Sequence, residues 1–293
     1  MSTSIRPPAR ARPLRQARFG HVLRMVLALS LYAGLATAQQ REGVDVGGNS
    51  AFARLVPADQ IEQSAGLEYS KLLQQAESKN ALAPADNPQL QRLRAMARNI
   101  IPHAMAWNQR AKGWKWEVNL IGSNQVNAFC MPGGKIVFYT GILNNLKLTD
   151  DEAAMVMGHE IAHALREHAR ERMGKNAATG MGANLLSQIL GLGQVGQTVT
   201  HYGAQLLTLQ FSREDESEAD LVGMELAARA GYDPRAGVTL WQKMSAANKG
   251  APPQWLSTHP SGKTRIAEIQ ATLPRVMPLY ERAPKPGKAV QRP

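Results

Sequence analysis

The sequence predicts an α+β fold, mostly helical, with one functional helix packed beside a small β-sheet or hairpin. Four stretches carry apolar residues at the 3.6-residue spacing of a helix with one buried face. One short stretch alternates with period 2, and a Pro-Gly-Gly turn separates two β-rich runs. With 293 residues and 44% apolar content, the chain is long enough to bury a core and too apolar to be disordered.

The first 38 residues stand apart from this pattern. They hold Arg6, Arg10, Arg12, Arg15, Arg18 and Arg24, no acid, and then the apolar run "MVLALSLYAGLA". That run is about 12 residues long, short of the roughly 20 that cross a bilayer, which is the layout of a secretory signal. The small residues of "ATA" predict cleavage between Ala38 and Gln39, and the absence of a cysteine at that point argues against a lipid anchor. The whole chain carries +11, of which the six arginines supply +6, leaving +5 after cleavage. Lys285, Lys288 and Arg292 of that remainder sit in a Pro-rich tail, 283–293. No basic stripe is left of the kind nucleic-acid binding requires, and nucleic acid is a poor candidate partner. The lone Cys130 cannot form an internal disulfide, so cysteine usage does not specify the compartment.

Residues 39–57 are Gly-rich, polar and without period, and read as a linker to a domain spanning 58–282. Helices are expected over 58–80 and 88–111. In "WKWEVNLI" the period changes: Trp114, Trp116, Val118 and Leu120 share one face of a strand. Pro132, Gly133 and Gly134 then turn the chain into Lys135–Thr140, giving a hairpin. The "MPGGKIVFYTG" segment reads either as an edge strand on which an extended peptide could pair by its main chain or as an ordinary paired core strand. Thr149 and Glu152 form a capping box that opens a helix over 150–173, stopped by Gly174. Residues 174–211 are Gly-rich and apolar but interrupted by Gln and Asn, which reads as close-packed or mobile helices rather than a membrane span and leaves a substrate or membrane contact open. A helix capped by Ser212 runs to Ala230 and ends at Gly231, followed by short helices near 234–248 and 261–272.

On the 150–173 helix, "HEIAH" puts His159 and His163 four apart on one face, the separation at which two imidazoles bind one tetrahedral ion. Glu160 lies about 100° round, beside such an ion and placed to take a proton from a water on it. His168, roughly 180° from His159 and among charged residues, reads as solvated. The three-histidine pattern HExxHxxGxxH is absent, since its last two positions hold Arg166 and Ala169. A third protein ligand therefore comes from elsewhere. "SREDESEADLVG" offers Glu214, Asp215, Glu216, Glu218 and Asp220 on one amphipathic helix. Glu216 and Asp220 share a face, with Glu218 about 200° from Glu216, which favours Glu216 as the ligand and Asp220 as acceptor of a ligating histidine's N–H.

"HEIAH" with "EDESEAD" resembles the HExxH plus ExxxD pattern of the metallopeptidase family that includes the CAAX prenyl protease, HtpX, the mitochondrial protease Oma and the periplasmic proteases BepA and LoiP. The likeness extends from roughly Leu55 to Ile269 through "WKWEVNLI", "AGYDP" and "LSTHP", and looks closest to LoiP. It implies a gluzincin-type metallopeptidase fold holding one Zn2+ per chain, with His159, His163 and Glu216 as ligands, Glu160 as catalytic base and Asp220 behind the ligands. It also implies a periplasmic endopeptidase that degrades misfolded or damaged envelope and outer-membrane proteins. Contacts with the membrane surface or the outer-membrane assembly machinery are further implied partners. The matching loop of BepA makes His259 a candidate fourth zinc ligand that holds a resting enzyme latent, or an oxyanion donor. Arg213 and Tyr202 are other oxyanion candidates. The chain lacks the lipidation cysteine of LoiP-like relatives and the helical-repeat domain of BepA. A metal-containing holdase and a secreted protease acting on host proteins remain as alternatives, the first disfavoured by an intact Glu160.

Overall fold

The computed structural model describes residues 42–179, 206, 209–247, 254–259 and 264–287. The expected signal segment, Tyr202, most of 174–211 and the end of the tail lie outside the described residues. From Gly43 onward the chain forms one compact unit.

Helix α1, Ala58–Ser78, buries Ile61, Ala65 and Tyr69. Helix α2, Pro88–Ile100, opens on Asn87, whose side chain accepts from the amides of Gln89 and Leu90, and buries Leu90, Leu93, Met96, Ala97 and Ile100. It ends eleven residues before the expected 111. Pro102 has no amide to continue the ladder, and the chain proceeds in 3-10 turns over Ile101–Ala106 and Gln109–Gly113.

Three strands follow: β1 (Glu117–Ile121), β2 (Ala128–Met131) and β3 (Lys135–Tyr139). The expected hairpin is present, turning through Gly133 and Gly134 at φ +84° and +79°, where a Cβ would be strained. The order β1-β3-β2 decides between the two readings of Lys135–Thr140: it is a paired core strand and not an edge. Strand β3 is central, parallel to β1 and antiparallel to β2. Its consecutive Ile136, Val137 and Phe138 are fully buried because both sheet faces are covered. Among the described residues β2 pairs with β3 alone, so β2 carries the free edge.

A short helix, α3 (Thr140–Asn145), leads to α4, Asp150–Leu165, opened by the expected Thr149–Glu152 capping box. Every residue of α4 from Glu152 to Leu165 is buried, making it the central helix. The expected single helix to 173 is broken. Glu167 turns left-handed at φ +60°, and a separate α5 runs His168–Ala178, through Gly174. Gly174 is there for close approach, since a Cβ would collide with the carbonyl of Phe52. Residues 44–56, read as linker, pack onto the domain: Val44 is buried with its amide on Glu225 Oε2 at 2.8 Å, and Arg170 Nε and Nη2 donate to the Val56 carbonyl at 2.9 and 2.6 Å.

Helix α6, Arg213–Arg229, starts on a Ser212–Asp215 capping box and stops before Gly231, at φ +84°. It crosses α4 at a glycine pair. A Cβ on Gly158 would sit 2.5 Å from the Gly223 carbonyl oxygen, and one on Gly223 would sit 2.5 Å from the His159 amide nitrogen. Neither neighbour is a side chain that could swing away, so this contact sets how close the two acid- and histidine-bearing helices come. Helices α7 (Ala236–Ala247), α8 (Gln254–Thr258) and α9 (Arg265–Arg282) complete the described fold. Helix α9 begins later and runs ten residues beyond the expected 272, through Pro274 and Pro278; Ile269, Val276 and Leu279 buried along one stripe offset the proline cost of about 3 kcal/mol each. No helix among the described residues is long and apolar enough to cross a membrane.

Candidate metal centre and active site

Helix α4 presents His159 and His163 one turn apart, and α6 faces them with its acids. The five acids of α6 divide by environment. Glu214 is exposed and Asp215 caps the helix, while Glu216 is fully buried against the histidines. Glu218 turns to the opposite side and pairs with Arg166. Asp220 Oδ1 lies 3.0 Å from His159 Nδ1. The facing predicted for Glu216, Glu218 and Asp220 is therefore the one observed.

The donor atoms of His159, His163, Glu216 and His259 all lie within 4.8 Å of one another, and all four residues are buried. His159 Nε2 is 3.0 Å from His163 Nε2 and 3.3 Å from His259 Nδ1. Glu216 Oε1 is 2.9 Å from His259 Nδ1 and 3.4 Å from His163 Nε2. Since a carboxylate only accepts, the Nδ1 of His159 carries a proton toward Asp220, which leaves Nε2 as the atom turned to the cluster. Imidazole nitrogens and a carboxylate oxygen converging in this way are a donor set that fits zinc.

Glu160 is buried next to this cluster and accepts from the indole Nε1–H of Trp255 at 2.6 Å, with His259 Nε2 at 3.6 Å. Burial pushes its carboxyl pKa up, against the pull of His259 and His159. For Glu216, burial works against the anion, but His259 and His163 outweigh it and hold the pKa far below the usual carboxylate range. Asp220 is likewise lowered in spite of burial, chiefly by Arg265. Burial drives His163 well below the ordinary imidazole value. Arg213 lies exposed at the start of α6, which gives no support to it as an oxyanion donor.

Four residues of the site were not foreseen. Arg265, at the start of α9, donates to Glu216 Oε2 at 2.7 Å and to Asp220 at 2.6 and 2.7 Å, locking both acids while stacking over Trp241. Trp255 stands one helical turn before His259 on α8, a four-residue spacing visible in "WLSTH". Phe211 stacks on His163 with ring centroids 4.0 Å apart. His168, expected on a solvated face, is 1% exposed and lies 2.9 Å from His163, Nδ1 to Nδ1. The left-handed turn at Glu167 swings it out of the straight-helix projection and back against the site.

The chain is 42% identical to the mitochondrial metalloendopeptidase OMA1 of Arabidopsis thaliana over 55% of its own length and 32% of that protein. To the OMA1 metalloendopeptidase of Bos taurus it is 32% identical over 74% of its length and 45% of the relative. To the β-barrel assembly-enhancing protease of Escherichia coli O157:H7 it is 30% identical over 55% of its length and 35% of the relative. It thus spans between about a third and a half of these proteins. The model of peptidase family M48 matches residues 88–273, a stretch running from α2 to α9 and holding every residue of the cluster. On that match the chain belongs to peptidase family M48.

Proposed function

We propose that this protein is a zinc metalloendopeptidase exported to the bacterial cell envelope, where it degrades misfolded or damaged envelope and outer-membrane proteins. The observation that carries the reading is the convergence of His159, His163 and Glu216 with Glu160 beside them, all buried. Those three residues hold one Zn2+ per chain, and Asp220, clamped by Arg265, orients His159. Bound there, zinc supplies Lewis acidity, lowering the pKa of water toward about 7 and polarising a peptide carbonyl. Glu160 handles the proton: its carboxylate takes it from the attacking water and returns it to the leaving amine nitrogen. Trp255 fixes the direction of that carboxylate.

The free edge of β2 suits an extended substrate. The Tyr139 amide donates to the Asn127 carbonyl at 3.1 Å, which makes 127–139 a hydrogen-bonded pair. By alternation the amides and carbonyls of Ala128 and Cys130 point away from β3, toward the edge. Main-chain pairing there reads no side chains and suits unfolded polypeptide of varied sequence. The names of the relatives, metalloendopeptidase and β-barrel assembly-enhancing protease, support proteolysis and an envelope role. A contact with outer-membrane assembly machinery or the membrane surface belongs to the same proposal. The test is zinc-edge anomalous scattering from the purified full chain together with casein cleavage sensitive to chelator. A chain with neither zinc nor cleavage would overturn the reading.

His259 fills the fourth donor position in this geometry, its Nδ1 on Glu216 and near His159 Nε2. It must swing clear for water to enter beside Glu160. His259→Ala is therefore expected to raise casein cleavage several-fold with zinc retained. Slower cleavage with zinc retained would assign His259 to the oxyanion instead.

A further inference from the structure

The two histidines of α4 are backed differently on their far sides. Behind His159 stands a carboxylate, Asp220, itself held by Arg265. Behind His163 stands another imidazole: the two Nδ1 atoms of His163 and His168 are 2.9 Å apart. Such a pair needs one proton, carried by one ring and accepted by the other. If His163 presents a lone pair at Nε2, its proton is on Nδ1, and the Nδ1 of His168 must accept. The proton of His168 is then on Nε2. That atom faces Glu218 Oε2 at 3.6 Å and has no hydrogen-bond partner among the described residues. The gap is longer than a hydrogen bond, so Glu218 acts on the ring as an orienting charge. Glu218 is paired in turn with Arg166, whose Nη2 donates to the carbonyl of Gly47 at 3.0 Å.

We infer that His168 is a positioning residue for His163, accepting its Nδ1–H and so fixing the tautomer that turns Nε2 toward the metal, with Glu218 and Arg166 holding His168 in place. The inference rests on the proposed role of His163 as a ligand. A buried histidine serving only to fill space would not need its Nδ1 as an acceptor, whereas this one stands where partners of metal-binding histidines typically stand.

The side chains of Asn and Gln separate the two accounts. The Oδ1 of Asn falls near the position of the imidazole Nδ1, while the Oε1 or Nε2 of Gln falls near that of the imidazole Nε2. In the full-length protein, zinc affinity measured by competition with a chromogenic chelator is expected to stay close to wild type in His168→Asn. In His168→Gln it is expected to weaken about 10–100-fold, the usual cost of losing such a partner. Thermal denaturation of the metal-free chains checks the fold. In zinc-loaded wild type carrying 15N-histidine, His168 is expected as the Nε2–H tautomer. Equal affinities in both variants, losses that merely follow thermal stability, or an Nδ1–H tautomer at His168 would overturn the inference while leaving the zinc site intact. A wild-type chain that takes up no zinc would instead bring down the ligand assignment, and this inference with it.

Discussion

Glu160→Gln is expected to keep one zinc per chain and to cleave casein about 10²–10⁴-fold more slowly than wild type, the span over which a positioned acid–base group acts. The substitution spares every proposed ligand. It also preserves the local packing, because the Gln carbonyl oxygen can still accept from Trp255 Nε1, now 2.6 Å from the carboxylate. What disappears is the capacity to take a proton from water and return it to the leaving amine. Zinc content and initial cleavage rate, measured on the same preparation, decide the matter. Cleavage near the wild-type rate with zinc in place would remove Glu160 from the mechanism.

The second large effect concerns the third ligand. Glu216→Ala is expected to lose zinc on dialysis under conditions where wild type retains it, and to lose cleavage with it. Its carboxylate is fully buried, with His163 Nε2 at 3.4 Å and His159 Nε2 at 3.6 Å, and no other acid of α6 faces that point. The fold should survive, since Arg265 keeps both of its bonds to Asp220. Glu218→Ala is the control. Glu218 lies on the far side of α6 and touches the cluster only through His168, so this variant should fill with zinc when the metal is in excess. Metal analysis giving the reverse pattern would mean that α6 meets α4 in another register.

Several parts of this molecule were legible in the residues alone. Thr149 with Glu152 and Ser212 before the acid run marked the starts of α4 and α6, because a capping side chain acts on amides only two or three residues away. The four-residue spacing of His159 and His163, and of Glu216 and Asp220, fixed a shared face on each helix. The hairpin at Gly133–Gly134 followed from the φ values that glycine alone adopts easily. The family likeness, read from the HExxH and ExxxD strings, agrees with the match to residues 88–273. Whether strand β3 is an edge or a core strand stayed open on the sequence, although the unbroken apolar run in "KIVF", in place of alternation, favours the core position that it takes.

By itself, then, the sequence determined which side chains share a helix face and where the two main helices begin, since caps, turns and the 3.6-residue period act over a few residues. Only the tertiary structure decided what each face meets. The break at Glu167 that carries His168 behind His163 depends on a left-handed residue that no spacing rule predicts. Arg265 reaches Glu216 across 49 residues and His259 reaches it across 43, both brought there by the packing of separate helices. The distance between α4 and α6 is set where Gly158 and Gly223 meet, 65 residues apart in the chain. Contacts at such separations arise from burial of apolar faces, which is non-directional, so their partners are selected by shape once the whole core has closed.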